Sequence, residues 1–207
     1  MGMIFDLAAL SPAMKDELVA DPSALQRLAM GETMQQSGDL LADLDLSALP
    51  DAIADQMRDQ IADAAEQARF MPGPGDFRPF TLYKDWDIVR YLIDGCSLSE
   101  AAGGEMPSHP MMEGGRPLGE DMGYGPANLM SPIQVKEFAI TLRNIPSHVV
   151  DERLDHDNVL AADLYGGDNV EDDPEGFRKM HTKLFGDLKQ FFANAASAGK
   201  WVVSYMS

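Results

Sequence analysis

Residues 174–206 read PEGFRKMHTKLFGDLKQFFANAASAGKWVVSYM, and they carry the strongest secondary-structure pattern in the sequence. Its first part repeats large apolar residues at helical spacing, on one face formed by Phe177, Leu184, Leu188, Phe192 and Ala195. A helix is predicted over about 174–196, and Gly199 stops it. Residues 201–206 are rich in β-branched and aromatic side chains, which favours a strand. A long helix followed by a strand predicts helices packed on a sheet.

A second apolar run lies at the other end of the chain, in residues 3–8, where only Asp6 interrupts it. Two apolar strands at the chain ends pair most simply in the middle of a small sheet. Ser131-Pro132 and Asp173-Pro174 each supply a helix N-cap followed by a proline at the first helical position. We therefore predict an α+β fold, with a small mixed or antiparallel sheet that includes both terminal strands and is covered by several helices.

Further short elements are predicted between these ends. Helices are expected at 11–20, 21–31, 85–93, 131–143, 147–153 and 158–165, with a short strand at 127–130. The segments 96–116 and 117–126 are rich in glycine and proline, and they are predicted to be loop and turn.

The domain organisation is predicted to be a single domain over residues 1–207, in which residues 11–82 form a helical insertion. The clearest helix of this insertion is expected at 50–70. Two prolines and two glycines at 72–75 form a break that ends the insertion. A chain of 207 residues is long enough for one domain with a sizeable core and short for two.

The net charge is strongly negative, because 16 Lys and Arg stand against 34 Asp and Glu, which leaves a formal charge of −18. Such a surface repels a phosphate backbone, so the composition argues against a nucleic acid partner. The charge is also uneven. Residues 151–175 hold ten acids and one base, whereas 176–207 hold one acid and five bases. Part of the acid is therefore open to neutralisation within the chain, by the basic face of the last helix.

Several kinds of site are excluded by the residues that the chain lacks. Cys96 is the only cysteine, so neither an intramolecular disulfide nor a cysteine zinc site can form. The sequence contains no phosphate-binding glycine loop and no G-x-S-x-G elbow. His181 falls on the apolar stripe of the last helix and is predicted to be a core histidine, and Asp157 is predicted to cap a helix. We expect no cofactor and no metal.

The sequence offers neither a signal-peptide core nor the roughly 18 apolar residues in a row that a membrane span needs. We therefore expect no membrane partner. A single thiol in 207 residues also suits a reducing compartment. A cytoplasmic location is the expectation that follows.

Six short motifs occur in an order that resembles a known family. They are Met1-Gly2-Met3 before a strand, Lys84-Asp85-Trp86 with Tyr91-Leu92 and Gly95, Gly114-Gly115 with Pro117-Leu118-Gly119, Gly123-Tyr124-Gly125-Pro126-Ala127 with Ser131-Pro132, Leu154-Asp155 with Ala161-Ala162-Asp163-Leu164-Tyr165, and Ala195-Ala196 with Gly199. Their order and spacing resemble the bacterial YfbM-like family of domains of unknown function, over residues 1–10 and about 83–207. The resemblance implies a single intracellular α+β domain, and it brings no established reaction or cofactor.

The chain departs from the family pattern at two places. Arg90 stands where the Trp-x-x-x-His helix of the family has its histidine, and Leu164-Tyr165-Gly166 replaces Ile-Tyr-Pro. An activity that depended on that histidine would be absent here. Trp86, Arg90 and Tyr165, together with the glycine-rich segment 119–126, are the candidate recognition surface. The alternative is that these glycines and Tyr124 only build a tight turn.

Two functional hypotheses follow from these observations, and both use the same candidates. The first is an acidic protein-binding module that recognises a basic partner, for example an immunity-like protein that binds a toxin enzyme. The second is a small-molecule binder or enzyme with a cleft beneath the 119–126 loop, lined by Trp86, Arg90, Glu120, Asp121 and Tyr124. An acidic protein with a role in stability or assembly is what remains if both fail. Since no catalytic constellation is recognisable, the sequence favours a role other than catalysis.

Overall fold

A computed structural model of the chain describes residues 3–29, 79–97, 111–112, 114–122 and 124–206. By its internal contacts the chain divides into two compact units, residues 1–15 with 79–207, and residues 16–78. The predicted helix at 50–70, the break at 72–75 and most of the predicted 96–116 loop lie outside the described residues. The organisation as one domain with an insertion at 11–82 stays a prediction.

A five-stranded antiparallel sheet forms the centre of the first unit. Its strands are β1 (Phe5–Leu10), β2 (Pro79–Tyr83), β3 (Arg116–Asp121), β4 (Pro126–Met130) and β5 (Trp201–Met206), in the spatial order β2-β1-β5-β4-β3. The first and last strands pair along their whole length, from Phe5 opposite Met206 to Leu10 opposite Trp201. The prediction of an α+β fold with both terminal strands inside a small sheet is confirmed.

Within the described residues the principal helices are seven: α1 (Pro12–Ala20), α2 (Trp86–Asp94), α3 (Pro132–Asn144), α4 (Ser147–Arg153), α5 (His156–Ala161), α6 (Asn169–Asp172) and α7 (Pro174–Ser197). Residues 23–29 are helical as well. The Ser131 and Gln134 side chains form a capping box at the start of α3, each bonded to the other's backbone N–H. The Asp173 carboxylate accepts a hydrogen bond from the Gly176 backbone N–H at 2.9 Å and caps α7. These two predicted helix starts are confirmed.

Helix α7 organises the core, because it packs along α3 and also contacts α2, α4, α6 and β2. Phe192 is fully buried and meets the Phe138 ring edge-on, with the ring centroids 4.7 Å apart. His181 is fully buried too; its Nδ1 lies 2.8 Å from the Phe177 carbonyl oxygen and its Nε2 3.4 Å from Asp85 Oδ1. The prediction that His181 is a core histidine is confirmed.

The structure differs from the prediction at both edges of the sheet. Residues 117–126 were predicted to be a turn, but β3 pairs with β4 as an antiparallel hairpin. Only Leu118 of β3 is buried, so the strand lacks the alternation that reveals strands in a sequence. Pro117 is tolerated because an edge strand leaves one side of its backbone unpaired. Strand β2, at the other edge, was not predicted.

The short helices after residue 144 also differ in detail. The helix predicted at 158–165 begins at His156 and ends at Ala161. Its cap is the Asp155 side chain, which accepts a hydrogen bond from the Asp157 backbone N–H at 3.2 Å, so the prediction that Asp157 caps it is wrong. Asp163 adopts φ 50°, a left-handed conformation that a helix cannot contain.

Gly186 lies inside α7, where glycine lowers helix stability. A Cβ placed on it would meet no atom within 4 Å, so nothing in the described structure requires glycine there. We expect Gly186→Ala to stabilise the protein by about 0.5–1 kcal/mol, because alanine loses less backbone entropy on folding. Urea unfolding followed by circular dichroism measures this gain, and an unchanged or lower midpoint would contradict it.

Candidate functional site

An acid-rich surface is formed by the helices α4, α5 and α6, the turns that join them, and the N-cap and first turn of α7. We name it the acidic surface and define it by its ten carboxylates: Asp151, Glu152, Asp155, Asp157, Asp163, Asp168, Glu171, Asp172, Asp173 and Glu175. All ten residues are exposed. Short helices have many first-turn and cap positions, and several of these acids occupy such positions, where a carboxylate is favourable.

The basic residue within this segment does not neutralise the acidic surface. Arg153 turns inward, and its guanidinium donates a hydrogen bond to the Leu92 carbonyl oxygen at 2.7 Å, in the last turn of α2. A Cβ at Gly95 would lie 2.5 Å from the Arg153 guanidinium, so glycine at that position leaves room for the side chain. The Arg178 guanidinium lies 3.8 Å from Asp155 Oδ2, which is a long distance for an ion pair, and it faces this one acid. The ten carboxylates therefore keep most of their combined negative charge.

An exposed aromatic side chain lies in the same segment of the chain as these carboxylates. Tyr165, in the turn between α5 and α6, is 37% exposed, as is Leu160. The Tyr165 ring stacks on Trp86, with centroids 6.1 Å apart and planes inclined by 29°. Trp86 is only 4% exposed and belongs to the core. The buried indole therefore supports the exposed phenol ring from below.

A buried ion pair fixes the backbone of the same turn. Asp87 Oδ2 accepts a hydrogen bond from the Tyr165 backbone N–H, and Asp87 Oδ1 accepts one from Arg90 Nε, both at 3.0 Å. Arg90 is 2% exposed and also lies 3.5 Å from Asp94 Oδ2. Burial raises the pKa of Asp94 above 3.8, although Arg90 and Arg153 nearby oppose the rise. Helix α2 thus holds Tyr165 by both its ring and its backbone.

The other three candidates lie at the end of the β3–β4 hairpin. Tyr124 is exposed, and so are Glu120 and Asp121. Asp121 Oδ1 accepts a hydrogen bond from the Gly125 backbone N–H at 2.8 Å, and the Met122 N–H donates to the Gly125 carbonyl oxygen at 3.0 Å. Gly125 adopts φ 105°, which glycine tolerates best. At this hairpin end the Asp121 carboxylate closes the turn.

The six candidates therefore form two groups and not one cleft. Trp86, Arg90 and Tyr165 are brought together by α2, next to β2 in the sequence. Glu120 and Asp121 lie on β3, and Tyr124 lies in the turn that follows it. In the sheet, β1, β5 and β4 lie between β2 and β3, so four spacings of about 4.8 Å place β3 about 19 Å from β2. Burial of Trp86 and Arg90 also keeps both side chains away from solvent.

Asp87 is the residue of this site that the sequence analysis missed. It is 3% exposed and bonds both Arg90 and the Tyr165 backbone. A signal was available, since Asp87 and Arg90 are spaced i, i+3 on a helix that is otherwise apolar around them. A charged pair at that spacing on the buried face of a helix indicates an internal ion pair.

Neither a metal-ligand cluster nor a membrane-spanning helix occurs in the described ranges. No group of three or more His, Cys, Asp or Glu side chains there is arranged to hold a metal ion. Within the same ranges, each helix falls short of the length and apolar character that crossing a membrane requires.

Comparison with known proteins gives a family and a fold. No curated protein sequence matches the chain. The solved structure of YfbM from Escherichia coli, a protein of unknown function, superimposes with a TM-score of 0.52 over 99% of both chains, at 11% identity. At that identity the likeness shows a shared fold alone. A family model described as a domain of unknown function, DUF1877, matches residues 1–205, so it includes the residues between 11 and 82 that the six motifs leave out. This chain therefore belongs to the DUF1877 family.

Proposed function

We propose that the protein is a binding module for a basic partner protein, which docks on the acidic surface around Tyr165. The observation that carries the proposal is the combination of ten exposed carboxylates with one half-exposed aromatic ring that the core holds in place. The carboxylates attract and orient a cationic protein, and tyrosine is among the residues that most often dominate the binding energy of an interface.

The rigidity of Tyr165 supports this role. A side chain that is already ordered before binding loses less conformational entropy when a partner covers it. Tyr165 is stacked on buried Trp86, and its backbone N–H is bonded to buried Asp87. A partner that docks on Tyr165 therefore meets a ring and a backbone that are already held in place.

The small-molecule alternative draws no comparable support from the described geometry. It needs Trp86 and Arg90 to line a cleft beneath the 119–126 loop, yet both are buried against other side chains. The segment 151–175, with ten acids and one base, contributes −9 to the net charge of −18, and a cleft beneath the 119–126 loop explains none of that share.

Affinity capture from a lysate of the cells that produce the protein tests the proposal. We expect the immobilised chain to retain one basic protein at one-to-one stoichiometry at low salt. Retention should fall by roughly tenfold or more at high salt, because exposed charges are then screened. Tyr165→Ala and the pair Glu171→Gln/Asp172→Asn should each reduce retention strongly.

Matched controls separate this result from a general effect of charge. Tyr124→Ala removes an exposed tyrosine outside the acidic surface, and Glu120→Gln/Glu137→Gln removes two exposed acids elsewhere. Both controls should retain the partner as the unmodified chain does. Retention that survives Tyr165→Ala, that ignores salt, or that falls equally with the controls contradicts the proposal.

A further inference from the structure

A groove of about 660 Å³ runs between α3 and α7, apart from the acidic surface. It is lined by Lys136, Ala139, Ile140 and Arg143 from α3, and by Gly186, Lys189, Gln190, Ala193, Ala196 and Ser197 from α7. Most of these residues are exposed, so the groove is open along its length. Alanines and Ile140 give it an apolar floor, and longer polar side chains stand at its sides.

The groove is positive in a chain that is strongly negative. Three of its lining residues are cations and none is an acid. Lys189 is already engaged, since its Nζ donates to the Ile145 carbonyl oxygen at 2.8 Å, and its partial burial lowers its pKa. For Lys136 and Arg143 no carboxylate partner is found among the described residues, whereas exposed Lys183 is 2.6 Å from Asp187.

Small residues on α7 leave space for another backbone. Gly186, Ala193 and Ser197 are spaced i, i+7 and i+11, so they lie on one stripe about 16 Å long, or three helical turns. The longer Gln190 lies on the same stripe, and its side-chain amide donates to Asn194 Oδ1 at 2.7 Å. Gly186 has no packing reason to be glycine, because a Cβ there would meet nothing within 4 Å. A partner that approaches the α7 backbone closely from outside would supply that reason.

We propose that this groove binds an acidic amphipathic helix of a second protein partner. Cations that have no carboxylate partner among the described residues, beside an apolar floor, complement a helix with small apolar residues along one face and Glu or Asp beside them. A free small anion fits less well, because small-molecule sites bury most of their ligand and this groove is open. The inference goes beyond the proposed function, since it concerns another surface and a partner of opposite charge.

In this complex the bound helix lies as a third helix against α3 and α7. Its apolar face covers Ala193 and Ile140, and its carboxylates reach Lys136 and Arg143. These two cations are seven residues apart, or two helical turns, and they therefore match acids spaced by seven on the bound helix. Lys189 stays bonded to Ile145 and adds positive potential at the side of the groove.

A designed probe tests the inference on the full chain. The probe is a fluorescein-labelled 18-residue peptide with Ala and Leu on one helical face and Glu on both sides of it. We expect its fluorescence anisotropy to saturate with a Kd in the ~10–100 micromolar range at low salt. Lys136→Glu/Arg143→Glu should raise the Kd at least about tenfold, and Gly186→Leu, which fills the groove, should also weaken binding.

Three controls make the result decisive. Arg178→Glu/Lys179→Glu makes the same change in net charge on exposed residues of α7 outside the groove, and it should change the Kd less than about twofold. A Lys-flanked version of the peptide should not bind. Competition with free glutarate and with anilinonaphthalene sulfonate, which has an apolar body and one anionic group, distinguishes a helix site from a small-anion site.

The inference is overturned if the Glu-flanked peptide shows no saturation, or if both charge-reversed variants lose it equally. Equal binding of the Lys-flanked peptide would also overturn it. Displacement by the small anions at lower concentration than the peptide itself would assign the groove to such anions instead. Gly186→Leu removes a helix-weakening glycine at an open position, so loss of binding by that variant is distinguishable from unfolding by its thermal midpoint. Apart from Arg178 in the control variant, which lies 3.8 Å from Asp155, the substituted residues do not contact the acidic surface.

Discussion

We expect Asp87→Asn to destabilise the protein by about 3–5 kcal/mol, which is the range observed when one partner of a buried ion pair is removed. Asp87 uses one oxygen for Arg90 and the other for the Tyr165 backbone N–H. An asparagine keeps one acceptor oxygen and presents an NH₂ group to the second donor. It also leaves the Arg90 guanidinium, which is 2% exposed, without its nearest counter-charge. Guanidinium unfolding followed by circular dichroism measures the loss.

A double-mutant cycle distinguishes the ion pair from simple loss of packing. Arg90→Met removes the buried charge while it keeps a long apolar side chain, so Asp87→Asn/Arg90→Met should be more stable than Asp87→Asn alone. Asp151→Asn, on the exposed acidic surface, should change the free energy of unfolding by less than about 0.5 kcal/mol. If Asp87→Asn lowers the free energy of unfolding by less than about 1 kcal/mol, the ion pair does not hold α2 to the Tyr165 turn.

The stability of this pair bears directly on the proposed function. Tyr165 is positioned by α2, through Trp86 beneath the ring and Asp87 beneath the backbone. Any variant that loosens α2 should therefore weaken partner binding without touching a carboxylate of the acidic surface. Conversely, Tyr165→Ala removes a half-exposed ring and should leave the Asp87–Arg90 pair intact. This variant should therefore weaken partner binding with little effect on stability, which distinguishes it from Asp87→Asn.

The centre of the fold was predictable because its signals are local and strong. Strands β1 and β5 are apolar runs, and α3 and α7 begin with an N-cap residue followed by proline. The edge strands were not predictable in the same way. In β3 only Leu118 contacts the interior, and β2 has one buried residue, Leu82, so neither strand shows a two-residue alternation. Their pairing is decided by partners that are distant in sequence.

The candidate site was predictable in part for a related physical reason. The acid-rich segment 151–175 is visible as composition, and its exposure follows because unpaired carboxylates stay in water. Tyr165 and Trp86 are 79 positions apart, and no periodicity links them; only the resemblance to a family placed both among the candidates. The orientation of Arg153 towards Leu92 and the bond from Asp87 to the Tyr165 backbone are tertiary contacts. The two-group division of the candidates follows from strand order, which local sequence does not encode.

We expect Gly115→Ala to destabilise the protein by about 3 kcal/mol, the upper end of the range for inserting an extra group into a packed site. A Cβ at Gly115 would lie 2.5 Å from the Leu129 carbonyl carbon and 2.6 Å from its oxygen. These are backbone atoms of β4, and Leu129 pairs with Val203 of β5, so β4 cannot move away without disturbing the sheet.

The Gly115 segment is equally unable to retreat. The Asn128 side-chain amide donates to the Met112 carbonyl oxygen, and the Gln134 amide donates to that of Gly114. Gln134 is itself held by the capping box at the start of α3. The clash must therefore be relieved by breaking at least one of these contacts, and the thermal midpoint should fall by about 6–12 °C for a chain of this length.

Gly186→Ala provides the matched comparison, because the same methyl group enters open space there. The two variants add one carbon each to the same protein, yet their effects on the free energy of unfolding should have opposite signs. Alanine has a better helix propensity than glycine, and position 186 lies in a helix, so the increase in the free energy of unfolding there measures helix propensity. Position 115 lies outside a helix, so the decrease there measures the steric clash of the added methyl group. A loss at position 115 below about 1 kcal/mol would mean that the 112–115 segment can shift away from β4, and the side-chain bonds of Asn128 and Gln134 would then not fix it.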